Sequence, residues 1–449
     1  MQRLSNRWLG VVAIFLIVTI SYVDRINLSI LITQPDFLKQ IGLTSVDKGA
    51  QGLLATVFMV GYGLSSIVLT PMCVAVLGVR RSLVYGLCLW GVITVTSPLY
   101  HSYSLLLLSR LLLGLSEGPL FALASCYVKA TFDGHENGKP NSLINSGTGM
   151  GFALGYPFVA MLVLQLDWQA SFYVLGLVNL LVGIPVALLF VHMPPGSEPQ
   201  RGATVSLRDT LVRHLPGMFR GALQTRHVIL ITVLTSSFLA YMWGVGNWLP
   251  GYLKEARGFD LRDTGWLASM PQWSTILAVL AGGWLIDRIK REQVPLIFVG
   301  GSLGVVAAVS LALLVDDRYH AIYCLSLAGF CWGLQSPAIP STMQFYARPE
   351  HIGSAFGVVN GVGSMVGGMM PAAMGAAIAM SSADSAPGAA AYSAGFYLLV
   401  GSQLITWACG VLLWLRVRDR SGAGGVPAGT PPPPPPPAAG GSAPRKHRG

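Results

Sequence analysis

Asp24 and Arg25 stand side by side in "ISYVDRINLS", inside the first long apolar run of the chain. Arg110 and Glu117 stand seven residues apart in "SRLLLGLSEGP", inside the fourth. A charged residue at mid-bilayer costs roughly 2.5–3.5 kcal/mol on insertion scales. Seven residues are close to two helical turns, so Arg110 and Glu117 share one face about 10 Å apart along the axis. The four charges sum to zero. Two structural ion pairs tying helices together would offset the cost, and so would a proton-dependent anion site. The second has a definite chemistry. Arginine stays protonated at every relevant pH, whereas desolvation in an apolar cavity favours the neutral form of a carboxylic acid. While both acids are ionised, the arginines are neutralised. Once an acid takes up a proton, a guanidinium is left free to hold a carboxylate in bidentate fashion. Proton and anion then favour each other's binding, reciprocally. The charge pattern alone suggests proton-coupled uptake of an organic anion.

The segments that carry these residues are membrane-spanning. Of 449 residues, 53% are hydrophobic and 11% charged, against about 25% charged in soluble domains. Apolar runs long enough to cross a bilayer recur twelve times, near 8–28, 50–77, 82–99, 104–127, 143–165, 171–191, 228–250, 264–286, 295–315, 320–346, 352–380 and 391–415. In lipid each span must satisfy its own backbone hydrogen bonds, so these are helices. They lack the alternation of a membrane barrel. The first run is too long for a signal peptide, is interrupted by Asp24-Arg25 and has no small-residue cleavage site, so it reads as a retained helix.

The net charge of +10 is a matter of topology, not of nucleic-acid binding. With the N-terminus cytoplasmic, 21 of the 29 Lys and Arg fall on the cytoplasmic side, six outside and two in spans. That bias is the positive-inside rule and places both termini in the cytoplasm. The six cysteines lie scattered in apolar runs without CxxC or His partners, and read as small packing residues. No metal or other cofactor is implied.

The longest polar interruption, 192–227, splits the spans six and six. The expected organisation is an N-terminal bundle (1–191), a cytoplasmic linker with short surface helices such as "SLRDTLVRHL" (192–227), a C-terminal bundle (228–416) and a disordered Gly/Pro-rich tail (417–449). A half-preserved repeat supports two equivalent halves. "GGWLIDRIKRE" follows the eighth run with Asp287-Arg288, whereas "TPMCVAVLGVRRSL" after the second has Ala75-Val76 in their place. Gly147, Gly151 and Gly155 give a small residue every fourth position, which permits close helix approach. No strand or Lys-Ser/Thr accompanies the Gly-rich stretches, so a phosphate-cradling loop is a poor reading. Tyr22, Tyr62, Thr148, Asn247, Gln335, Gln344 and Asn360 could line the same cavity, although each alone suits an interhelical hydrogen bond better than a ligand contact.

"YVDRINLS", "GYG", "SRLLLGLSEGP", "NWLPGYL" and "GGWLIDR", in this order and spacing, resemble the anion:cation symporter family of the major facilitator superfamily, over about residues 8–416. The resemblance implies an all-α membrane fold of twelve transmembrane helices in two six-helix bundles that rock around a central site. It implies carriage of hexuronates, aldonates, phthalate, tartrate or related organic anions, mostly with protons. By similarity Asp24 and Glu117 match the proton-coupling acids, Arg25 the group that grips the substrate carboxylate, and Arg110 the partner that modulates Glu117. Tyr22 and Tyr62 match cavity tyrosines. Thr148 falls where sugar-acid carriers often present Gln, which hints at a less hydroxylated substrate, and Asn360 falls on a cavity Asn of the eleventh helix. Asp287 and Arg288 match a cytoplasmic gate motif that Ala75-Val76 has lost. The expected partners are a small organic anion, protons and lipid, with the chain a monomer in a bacterial inner membrane. Proton-independent uniport or exchange and a transporter-like sensor are the rivals. A membrane enzyme is the least favoured reading, because the spans hold no metal cluster, nucleophile–base pair or His near Asp24, and no enzyme activity is expected.

Overall fold

The computed structural model describes residues 2–132, 138–194, 215–347, 352–382 and 388–422, and among them every regular element is helical. Eleven helices are long and apolar enough to cross a membrane: α1 (Arg7–Leu31), α2 (Lys48–Thr70), α3 (Val79–Leu99), α4 (Tyr103–Thr131), α5 (Gly138–Gln165), α6 (Trp168–Phe190), α7 (Val228–Ala256), α9 (Arg291–Leu314), α10 (Arg318–Tyr346), α11 (Ala355–Ser382) and α12 (Ala389–Val417). One further long helix, α8 (Leu261–Ile286), has 26 residues and so the required length, but Gln272, Ser274 and Thr275 dilute its apolar stretch. The "SLRDTLVRHL" stretch and the Pro-rich tail beyond 422 fall outside the described residues, apart from Leu215, where a short helix Leu215–Leu223 begins.

Within the first six helices α1 packs on α5, α2 on α4 and α3 on α6; within the second six, α7 packs on α11 and α12, and α10 on α8 and α9. The halves meet along α5 with α8, α2 with α11 and α1 with α7. Twelve long helices in succession bring the first and last described residues, 2 and 422, to one end, the near end; Lys48 and Glu255 lie at the other, the far end.

Small residues set how closely these helices approach. A Cβ on Gly147 would lie 2.9 Å from Phe15 O, and one on Gly151 would lie 2.4 Å from Tyr22 Cβ, so α5 lies flush on α1. A Cβ on Gly114 would lie 2.1 Å from Phe58 O, and one on Gly118 2.5 Å from Tyr62 O, which presses α4 onto α2. Helix α4 is broken after Glu117 by Gly118-Pro119, and α10 after Gln335 by Ser336-Pro337. Each proline removes a backbone donor, and the matching positions fit a chain built of two related halves.

Candidate functional site

Neighbours on a helix point about 100° apart, so Asp24 and Arg25 leave α1 towards different helices. Arg25 turns towards α4 and the boundary between the halves. Its Nε and Nη2 both donate to Glu117 Oε2, at 3.0 and 2.9 Å, and Ser21 Oγ donates to the same oxygen at 2.8 Å. Glu117 is fully buried, and 5% of the Arg25 side chain is exposed. The close α2–α4 approach at Gly114 and Gly118 carries the carboxylate to this depth.

Four rings surround the Arg25 guanidinium: Tyr22 at 4.3 Å, Tyr62 at 4.8 Å, Phe58 at 5.1 Å and Trp243 at 5.7 Å from Cζ to centroid. Aromatic faces attract cations, more strongly where water is excluded. Trp243 belongs to α7, so the cage is completed only by the second half of the chain.

Asp24 turns instead to α6. Its Oδ2 accepts from Asn179 Nδ2 at 2.5 Å, and the same amide nitrogen donates to Leu175 O at 3.0 Å. Leu175 O can only accept, so this second bond fixes the amide's orientation. Arg110 donates from Nη2 to Ser97 Oγ at 3.4 Å and lies 5.8 Å from the Phe172 ring. Arg25, not Arg110, makes the ion pair with Glu117 among the described residues. Asp24 Oδ1 and Glu117 Oε1 are buried without a hydrogen-bond partner. Each carboxyl group therefore has one oxygen where a proton would displace no existing bond.

Beside this cluster lies a central cavity of about 40 Å³, lined by Arg25, Arg110, Phe58, Phe152, Trp243 and Asn247 among others. A cavity needs about 10–15 Å³ of such volume to hold one water molecule, so this one has room for a few waters and must widen to admit an organic anion.

The other sequence candidates lie apart from it. Thr148 is absent from the lining, and its hydroxyl donates to Asn145 O at 2.8 Å. Asn360, half-buried, sits beside Gly361 where α11 meets Ile67 of α2, and it too does not line the cavity. Asp287 and Arg288 are exposed at the near-end terminus of α8, with the Arg288 guanidinium 3.5 Å over the ring of Trp284. Sequence reasoning missed Ser21, Asn179 and Trp243. Asn179 carried a signal: it is a lone amide in the apolar run "LVNLLVG".

The Major Facilitator Superfamily pattern matches residues 14–372. The chain is 28% identical to the probable sulfoacetate transporter SauU of Cupriavidus necator, over 80% of its own length and 84% of that protein. It is 24% identical to the probable L-galactonate transporter of Escherichia coli, over 74% and 76%. Among solved structures, a bacterial homolog of the human lysosomal transporter Spinster, inward-facing and unoccupied, superposes with a TM-score of 0.72 at 16% identity, covering 94% of this chain and 99% of that one. The D-xylose–proton symporter superposes with a TM-score of 0.66 at 15% identity, covering 91% and 97%. The matched family, the twelve helices and the centrally buried charge cluster agree: this chain belongs to the Major Facilitator Superfamily and is a multi-pass membrane transporter, not an enzyme.

Proposed function

We propose that the chain takes up a small organic anion by proton symport through alternating access, in a bacterial inner membrane and as a monomer. The observation that carries this reading is the Arg25–Glu117 pair, held at 2.9 Å inside a ring cage drawn from both halves. The relatives' names, which specify sulfoacetate and L-galactonate, support an organic anion as cargo.

Glu117 occupies the guanidinium face that a substrate carboxylate would use. Protonating Glu117 weakens its hold on Arg25 and leaves a buried cation in need of an anion. The anion then takes the place of the carboxylate. Trp243 reports its arrival to α7, because it touches the same guanidinium. Asp24 is the second proton-coupling acid, held by Asn179 and set behind α1. Arg110 supplies positive charge at the cavity wall, and Tyr22 and Tyr62 shape the Arg25 face. Thr148 and Asn360 meet the anion only when the bundles part, and Asp287 with Arg288 act at the near-end gate.

External pH in lightly buffered, de-energised cells tests the reading as sugar acids, dicarboxylates, aromatic acids and sulfonates are added in turn. Alkalinisation with one acid, absent in Arg25→Ala, is the expected result. Anion binding with no pH change would replace symport with uniport or exchange.

A further inference from the structure

Four buried donors without a partner converge on the central cavity. They are Arg25 Nη1, Arg110 Nε, Trp243 Nε1 and Asn247 Nδ2, and all four residues line it. The acceptor side is thin. Among lining side chains, Ser29 and Asn247 alone offer a neutral oxygen; the Ser29 hydroxyl spends its hydrogen on Ile26 O at 2.7 Å and keeps only its acceptor side for a ligand. Asp24 and Glu117, whose free oxygens could accept, are not in the lining. Much of the remaining wall is Ile26, Leu28, Leu54, Met59 and Leu113.

A ligand suited to this wall has many acceptors and few donors. Each hydroxyl of a sugar acid brings a donor that needs an acceptor once water is excluded, and the lining side chains supply only the Ser29 and Asn247 oxygens. Two of the four free donors are guanidinium groups, which prefer planar or tetrahedral anionic oxygens. We propose that the site selects a compact, hydroxyl-free dianion, a two- to four-carbon dicarboxylate or sulfocarboxylate. One acidic group lies at Arg25, the other at Arg110, and the short carbon chain lies along the apolar wall. Trp243 Nε1 and Asn247 Nδ2 donate to the remaining oxygens. The short members of that class need the least widening of the closed cavity. This assignment rests on the organic-anion reading above.

Calorimetric titration of the purified full-length protein tests it with four probes. Succinate and sulfoacetate are hydroxyl-free dianions, tartrate is succinate's length with two hydroxyls, and butyrate is its length with one charge. Succinate or sulfoacetate is expected to bind at least tenfold tighter than tartrate and butyrate. In Arg110→Gln that preference over butyrate disappears. Trp243→Phe, which keeps a ring and removes the donor, weakens the preferred dianion three- to tenfold. Tartrate or butyrate binding as tightly as the best dianion overturns the assignment, as does the absence of binding by all four. Proton uptake by proteoliposomes, measured in parallel, separates the two readings. A dianion preference without proton movement refutes symport and leaves the selection standing, whereas proton-coupled uptake that prefers tartrate does the reverse.

Discussion

Lys48 at the start of α2 and Glu255 at the end of α7 form an ion pair across the two halves, with Nζ 2.8 Å from Oε1 and 2.7 Å from Oε2. Tyr392 of α12 donates to the same carboxylate at 2.9 Å, and Lys254 Nζ donates to Thr33 O of the first half at 2.7 Å. The lysine is 1% exposed and the glutamate 20%. A Cβ on Gly375 of α11 would lie 2.3 Å from Lys48 O, so the helices touch here through their backbones. These contacts tie the two halves together at the far end. Removing one partner leaves the other charge partly buried and uncompensated. Lys48→Ala is therefore expected to populate a far-end-open state. Nitroxide distances between positions 45 and 389, measured in a background without native cysteines, should lengthen or broaden in the variant. Superimposable distributions would rule out the latch.

Glu117→Gln keeps the shape of the side chain and an oxygen able to accept from Ser21 and Arg25, but it removes the titrating carboxylate. Exchange of labelled for unlabelled anion should persist within about threefold of wild type, while accumulation driven by a pH gradient is lost. Gradient-driven accumulation that survives in proteoliposomes assigns the coupling to another group.

Asn179 spends both amide hydrogens, on Asp24 Oδ2 and Leu175 O, and so acts on Asp24 without lining the cavity. Asn179→Leu leaves the Asp24 carboxyl with no hydrogen-bond donor among the described residues. The pH dependence of uptake should then be displaced along the pH axis. A uniform fall in rate at every pH would instead mark Asn179 as structural.

Gly114→Ala places a methyl group 2.1 Å from Phe58 O, which is backbone and cannot rotate away. Overpacking of this kind costs typically about 1–3 kcal/mol, and here it also moves Glu117 relative to Arg25. A lowered Tm with weakened transport is expected. Gly217→Ala, where a Cβ meets nothing within 4 Å, is the control and should change neither. Equal Tm values for the two variants would contradict the close approach.

His227, just before α7, is pushed below its ordinary protonation range, first by burial and then by Arg416. The Arg416 guanidinium lies 3.0 Å from its Nδ1. A histidine lowered in the folded state takes up its proton more readily when the chain is unfolded, so acid favours unfolding. The stability it contributes is present above about pH 6.5 and declines as pH falls through and below that value. Its backbone is left-handed, with φ 59°, a conformation asparagine adopts easily. His227→Asn should flatten the Tm between pH 7.5 and 5. An unchanged slope in the variant would place the acid sensitivity elsewhere.

The sequence by itself determined the elements and the charges they bury. Twelve apolar runs mark the spans, because lipid forces each such run into a helix whatever its neighbours are. The Gly147–Gly151–Gly155 stripe was equally legible, since Cβ volumes are local properties. Pairing was not local. Whether Glu117 would be held by Arg25 or by Arg110 depends on where α4 crosses α1. Asp24 finds Asn179 only because α6 lies behind α1, 155 residues along the chain. Lys48 and Glu255, separated by 207 residues, fall just outside the runs 50–77 and 228–250, and nothing local pairs them. Thr148 and Asn360 lie on the expected helices yet outside the closed cavity, because rotation about a helix axis, set by packing, decides which residues face the centre. Helical periodicity fixes which residues share a face, and only the tertiary packing of twelve helices decides what each face meets.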